Sequence, residues 1–168
     1  MIHLILSIGL GVMLCGPDNL PDQYFSRAVA PTAAAQRVTY RTYTNVRFQY
    51  SVSYPAGVLI PQGEADNSDG QIFRSRDRRA EMRVFGRYNV QNETLQSAFN
   101  AAQEGKDVTY KVLKRNFYVV SGRQNGKIFY EKTLLKGDTF KTFMIEYDEA
   151  DSAKYDPMTA RIARSFVG

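Results

Sequence analysis

From residue 46 the chain reads VRFQYSVSY, in which Val46, Phe48, Tyr50, Val52 and Tyr54 alternate with Arg47, Gln49, Ser51 and Ser53. A period of two places successive side chains on opposite sides of an extended backbone, so residues 46–54 predict one half-buried strand. Residues 38–43 predict an earlier strand, with a turn at Asn45 joining the two as a hairpin. Pro55-Ala56-Gly57 and Pro61-Gln62-Gly63 punctuate the next segment and leave Val58-Leu59-Ile60 as a short apolar plug between turns. Residues 71–74 and 81–88 continue the extended pattern, with Met82, Val84 and Tyr88 on one side.

The period then changes. Leu95, Ala98, Phe99 and Ala102 recur at helical spacing, with Thr94 placed to cap the start and Gly105 to stop the end. Residues 108–113, 117–121, 128–135 and 139–147 predict four strands joined by short polar turns, as in an antiparallel meander. Asp156 and Pro157 predict the cap and first residue of a closing helix striped by Met158, Ile162, Ala163 and Phe166. The order is β-β-β-β-α-β-β-β-β-α. It predicts an α+β domain: a mainly antiparallel sheet of about six to eight strands covered by two helices.

The first fifteen residues contain no Asp, Glu, Lys or Arg. The apolar run from Ile2 to Cys15 is too short to span a bilayer comfortably and reads as the core of a signal peptide, although no Lys or Arg precedes it. Lipidation at Cys15 is disfavoured by the bulky Leu14 before it. Residues 16–37, with three prolines and an alanine run, read as a flexible linker or propeptide, and Ala28-Val29-Ala30 or Ala33-Ala34-Ala35 fits a cleavage rule. The expectation is an exported, periplasmic or secreted protein whose single folded domain occupies residues 38–168. Contact with a membrane is expected only through an uncleaved leader or at the surface.

Cys15 and His3 are the only cysteine and histidine. A mature domain lacking both is denied disulfides, zinc sites built from Cys or His, and histidine-based nucleophilic or acid–base catalysis. Carboxylate, Tyr or Ser–Lys chemistry remains, without a recognisable spacing. Glu146, Asp148, Glu149 and Asp151 suit a helix N-terminus; Tyr110 and Lys114 fall on a strand; no glycine-rich phosphate loop occurs. The expectation is a protein without catalytic residues, cofactor or metal.

The stretch EADNSDGQIFRSRDRRAEMRVFG, from residue 64, leaves calcium-loop spacing with Ala65 and Arg76 where the first and last ligands belong, so it reads as a solvated hairpin. Arg74, Arg76, Arg78, Arg79, Arg83 and Arg87 form the candidate partner-binding surface, and Arg74, Arg76 and Arg78 are expected to alternate along one strand face. With a net charge of +5, the chain suits an anionic partner such as an acidic protein, a cell-wall polymer or a lipid headgroup. Asp69, Asp77 and Glu81 interrupt the cluster and argue against nucleic acid. Eleven tyrosines and ten phenylalanines place rings on both sides of several strands, which suits a sheet covered on both faces.

YTNVRFQYSVSYP, the DGQIFRS turn and strand, YKVLKRNFYVVSGRQNGKIFYEK and the closing YDPMTARIARSF together resemble small exported bacterial proteins of the PsbP-like class. The resemblance extends over about residues 38–167 and lies in structural motifs. It implies an α/β/α sandwich around an antiparallel sheet, normally without catalysis, serving as an accessory subunit, chaperone or adaptor for a protein partner. No functional residue carries over, and RSRDRRAEM departs from the tighter Asp-Gly turn usual there. The leading expectation is a non-enzymatic envelope domain that binds a still unidentified protein through an exposed sheet face or the arginine-rich hairpin, an inhibitor or immunity protein being one version. The alternatives are a binder of a small ligand or membrane surface, using a pocket between helix and sheet, and, less favoured, a carboxylate- or Ser/Lys-based hydrolase.

Overall fold

The computed structural model describes residues 38–168. The leader, Cys15 and the linker lie outside the described residues. Strands β1 (Tyr40–Asn45) and β2 (Tyr50–Pro55) form an antiparallel hairpin with Asn45 opposite Tyr50. The nine-residue alternation is therefore not one strand: residues 46–49 are the turn, and Val46 is 84% exposed. Asn45 explains the difference, because its buried side chain accepts a hydrogen bond from the Phe48 amide (2.8 Å) and bends the chain locally. Phe48 nevertheless keeps its core position. It presses so closely on Gly86 that a Cβ there would overlap the Phe48 ring, so that position requires glycine.

The remaining strands are β3 (Ile60–Glu64), β4 (Gly70–Arg74), β5 (Ala80–Tyr88), β6 (Asp107–Leu113), β7 (Phe117–Gln124), β8 (Lys127–Lys136) and β9 (Thr139–Asp148). They form one antiparallel sheet in the order β3-β4-β5-β9-β8-β7-β6. The expected plug runs on into β3, an edge strand that tolerates Pro61 and Gly63 because its outer backbone has no ladder to complete.

Helix α1 (Leu95–Ala101) starts where expected, with Thr94 Oγ1 accepting from the Ser97 amide at 3.0 Å. Helix α2 (Ser152–Ser165) begins earlier than expected, directly after a 3-10 turn at Glu149–Asp151. Pro157 lies inside it at the cost of an intrahelical hydrogen bond. Tertiary packing overrides the local signal: Tyr155, from the turn before the proline, is fully buried with its ring 5.2 Å from that of Tyr147. Asp156 is not the cap, but accepts from the Tyr147 hydroxyl at 2.6 Å.

Strand register sorts the side chains into two faces. Phe73, Met82, Val84, Phe143, Ile145 and Tyr147 meet β2 and α2 in the larger core, with Tyr50, Val52, Ile162 and Phe166. Tyr118, Val120, Phe129 and Phe140 point the other way and pack under Leu95 and Ala98 of α1 and Ala102, its C-cap. The sheet is thus covered by helices on both sides, but unequally. With only seven residues, α1 packs on β7 and leaves the β4-β5-β9 part of its face without a covering element.

Candidate partner surface and adjoining cavity

Register divides the six arginines between two places. Arg74, Arg83 and Arg87 stand on the face that α1 leaves uncovered, in line with Ile72, Phe85, Thr142, Met144 and Glu146 of neighbouring strands. Arg76, Arg78 and Arg79 occupy the β4–β5 turn. The expectation that Arg74, Arg76 and Arg78 alternate along one strand face is incorrect, because the strand ends at Arg74 and Arg78 adopts a positive φ of 59°. Asp77 drives the turn: its carboxylate accepts from the Ser75 hydroxyl (2.6 Å) and the Arg79 amide (3.2 Å). These hydrogen bonds, Ser75's first, hold the Asp77 carboxyl below its usual pKa.

Most of these cations already have partners. Glu81 lies between Arg74 (2.7 Å) and Arg83 (2.5 Å). Partial burial would raise the Glu81 pKa, but hydrogen bonds from both guanidinium groups outweigh it and keep the carboxyl below its ordinary range. Arg79 bridges Asp148 (2.9 Å) and Asp151 (3.2 Å). Arg87 pairs with Glu93 at 2.6 Å while its guanidinium lies 4.1 Å from the centre of the Phe140 ring. Arg76 and Arg78 are exposed and make no ion pair among the described residues.

Between the arginines the face is apolar. Ile72, Phe85 and Met144 are half-buried, and Phe85 stands as a ridge between two cavities. One, of about 370 Å³, opens where β3 bulges away from β4, beside Gly63, Gly70, Ile72 and Arg83. The other, of about 260 Å³, lies between α1 and the sheet, against Arg87, Met144 and Thr142. At its inner end sits Glu131, 7% exposed, whose Oε1 accepts from the Tyr118 hydroxyl at 2.5 Å. Burial first, and the adjacent carboxylate second, raise the Tyr118 pKa strongly, so the phenol keeps its proton.

Superposition on solved structures supplies the comparison. The solution structure of cyanobacterial PsbP (CyanoP) from Synechocystis sp. PCC 6803 matches with a TM-score of 0.57 at 13% identity, covering 83% of this chain and 98% of that one. The fold is PsbP-like. No family model and no curated protein matches the sequence. The likeness establishes the fold alone, and agrees with the resemblance found in the residue pattern.

Within this PsbP-like frame, an exposed sheet face and a pocket between helix and sheet were both expected, but which strands stay open and which residues line the cavities were not. The cavity residues had a signal in the sequence: Phe129, Glu131, Thr133 and Leu135 form one face of β8, and Glu131 puts a carboxylate on an apolar stripe. The turn at Asn67–Asp69 is closed by its own side chains, with Asn67 Nδ2 donating to Asp69 Oδ2 at 2.8 Å. No group of three or more metal-ligating side chains gathers among the described residues. No helix among them is long and apolar enough to cross a membrane.

Proposed function

We propose that this protein is a non-enzymatic, exported accessory domain that holds a protein partner against the uncovered β4-β5-β9 part of its sheet, with the exposed Arg76 and Arg78 reaching past the edge. The observation that carries it is the make-up of that surface: Ile72, Phe85 and Met144 set among Arg74, Arg83 and Arg87. Aromatic, Met and Arg side chains are enriched at the centres of protein interfaces. Glu81 and Glu146 break the positive field along the strands, which disfavours a continuous polyanion such as nucleic acid. The unpaired Arg76 and Arg78 favour acidic groups at one margin of the partner.

The carboxylates support a binding role over catalysis. Glu81, Glu93, Asp148, Asp151 and Glu149 are each engaged by an arginine, so none of these five stands free as a general acid or base. The test is in-cell crosslinking of the full chain, with mass spectrometry of what it retains, beside Ile72→Glu/Arg83→Glu and Arg76→Glu/Arg78→Glu. The expected result is one crosslinked protein that is lost with the first variant and weakened with the second, both variants remaining folded. A crosslinked protein unaffected by Ile72→Glu/Arg83→Glu would refute the assignment of this face.

A further inference from the structure

The cavity between α1 and the sheet carries an inference that goes beyond partner binding and does not depend on it. We propose that it is a binding site for an uncharged, polyhydroxylated ligand of about one pyranose ring. Size sets the first limit: about 260 Å³ is below the roughly 300–1,000 Å³ of pockets that take drug-sized molecules. The room exists because α1 and its C-cap line it with alanines, Ala98, Ala101 and Ala102.

Its polar groups are neither all donors nor all acceptors. Glu131 Oε1 is occupied by Tyr118, but Oε2 receives no hydrogen bond among the described residues, its nearest cation, Lys106 Nζ, standing 3.9 Å away. The residue is buried, but this oxygen opens onto the cavity, where it can accept a hydrogen bond from a ligand hydroxyl. Beside it the hydroxyls of Thr133 and Thr142 lie 3.0 Å apart; when one donates to the other, the second keeps a proton to donate and both keep lone pairs. Arg87 adds donors at the cavity wall, and Phe85 and Met144 offer apolar surface. Sugar hydroxyls both donate and accept, and the C–H faces of the ring are apolar, so this mixture matches them.

Charge favours neither sign of ion. Glu131 and Glu93 are balanced by Lys106 and Arg87, two negative groups against two positive. An ion of either sign meets repulsion as well as attraction and would have to compete with an existing pair, whereas a neutral ligand disturbs neither.

The experiment is titration of the full chain with methyl glucopyranoside, n-butylammonium and butyrate in separate runs, followed by proton–nitrogen NMR correlation spectra. The expected result is saturable shifts at Ala101, Thr133 and Thr142 with the sugar alone, with a dissociation constant of roughly millimolar order, as befits few contacts and one ring. Glu131→Gln should weaken binding about tenfold, the factor corresponding to a charge-assisted hydrogen bond. Because that substitution touches a buried pair, Ala101→Leu provides a second test: the residue is exposed on α1 and lines the cavity, so a larger side chain fills the space without disturbing Glu131. Loss of the sugar shifts in Ala101→Leu, with the rest of the spectrum retained, supports the site. Absence of saturable shifts, unchanged binding in Ala101→Leu, or tighter binding of either charged probe overturns the proposal.

Discussion

The two faces of the seven-stranded sheet are built from the same strands and differ in what covers them. On one, the β1–β2 hairpin and the fourteen-residue α2 close over a continuous core in which Val52, Phe73, Met82, Phe143, Ile145 and Tyr155 are fully buried. On the other, the short α1 covers a smaller cluster and leaves alternating arginine, glutamate and half-buried apolar side chains beside two cavities. Adjacent residues on one strand therefore do different work: in β5, Met82 and Val84 hold the domain together, while Arg83 and Phe85 face outward. A period of two says which residues share a face, but not which face will be left open.

The largest effect that can break this contrast is a matched pair of truncations. Phe143→Ala removes a fully buried ring from the covered face and should cost about 3–5 kcal/mol, read as a lowered midpoint in urea denaturation. Phe85→Ala, half-buried on the open face, should cost no more than about 1 kcal/mol. Comparable losses at both positions would mean that the open face contributes to stability as the covered one does, and would remove the argument that its apolar residues are held for a partner.

A smaller effect tests how the hairpin is fastened to the covered face. Asn45 is fully buried, shares its two amide protons among Tyr43 Oη (3.1 Å), Glu64 Oε1 (3.0 Å) and the Ser68 carbonyl (3.0 Å), and accepts from the Phe48 amide. These bonds tie the hairpin turn to the β3–β4 turn. Asn45→Ala leaves buried groups without partners and should cost about 1–3 kcal/mol. Hydrogen exchange should rise first in β1 and β3. Uniform acceleration throughout the sheet would instead mean that Asn45 supports the whole domain and not this junction.

Much of the architecture was legible in the sequence because the meander from residue 107 to 148 consists of runs rich in aromatic and β-branched residues separated by short polar turns. The misses have two causes. At Val46–Gln49 alternation continues through a turn made by one buried asparagine side chain, and at Pro157 a helix-start signal sits inside a helix whose preceding turn is held by Tyr155. In the first a local side-chain-to-backbone hydrogen bond, and in the second a tertiary contact, outweighed the periodic pattern. The candidate arginines were visible as a cluster, but their division between a sheet face and a turn follows from Ser75 and Asp77 closing the chain at that point. Glu81, the partner of Arg74 and Arg83, lies in the same stretch, but Asp148 and Asp151, the partners of Arg79, come from a distant segment and have no signature in residues 64–86.

The smallest effect concerns the ion pairs of the open face. Glu81 is held between Arg74 and Arg83, whose side chains are 42% and 56% exposed, so solvent screens the attraction and the contribution to stability should stay below about 1 kcal/mol. Its pKa in the folded protein is lowered, so the native state releases this proton more readily than the unfolded chain does. The stabilisation is then fully present above the ordinary glutamate range, about 4.3, and is lost as pH falls through the lowered folded value. The difference in unfolding free energy between the unsubstituted protein and Glu81→Gln should therefore shrink toward zero in acid, and also in high salt at neutral pH. A difference that persists through both would show that Glu81 acts through the shape of its hydrogen bonds. The arginines of the open face would then be fixed in place, and a partner would have to accept their geometry instead of drawing them into new pairs.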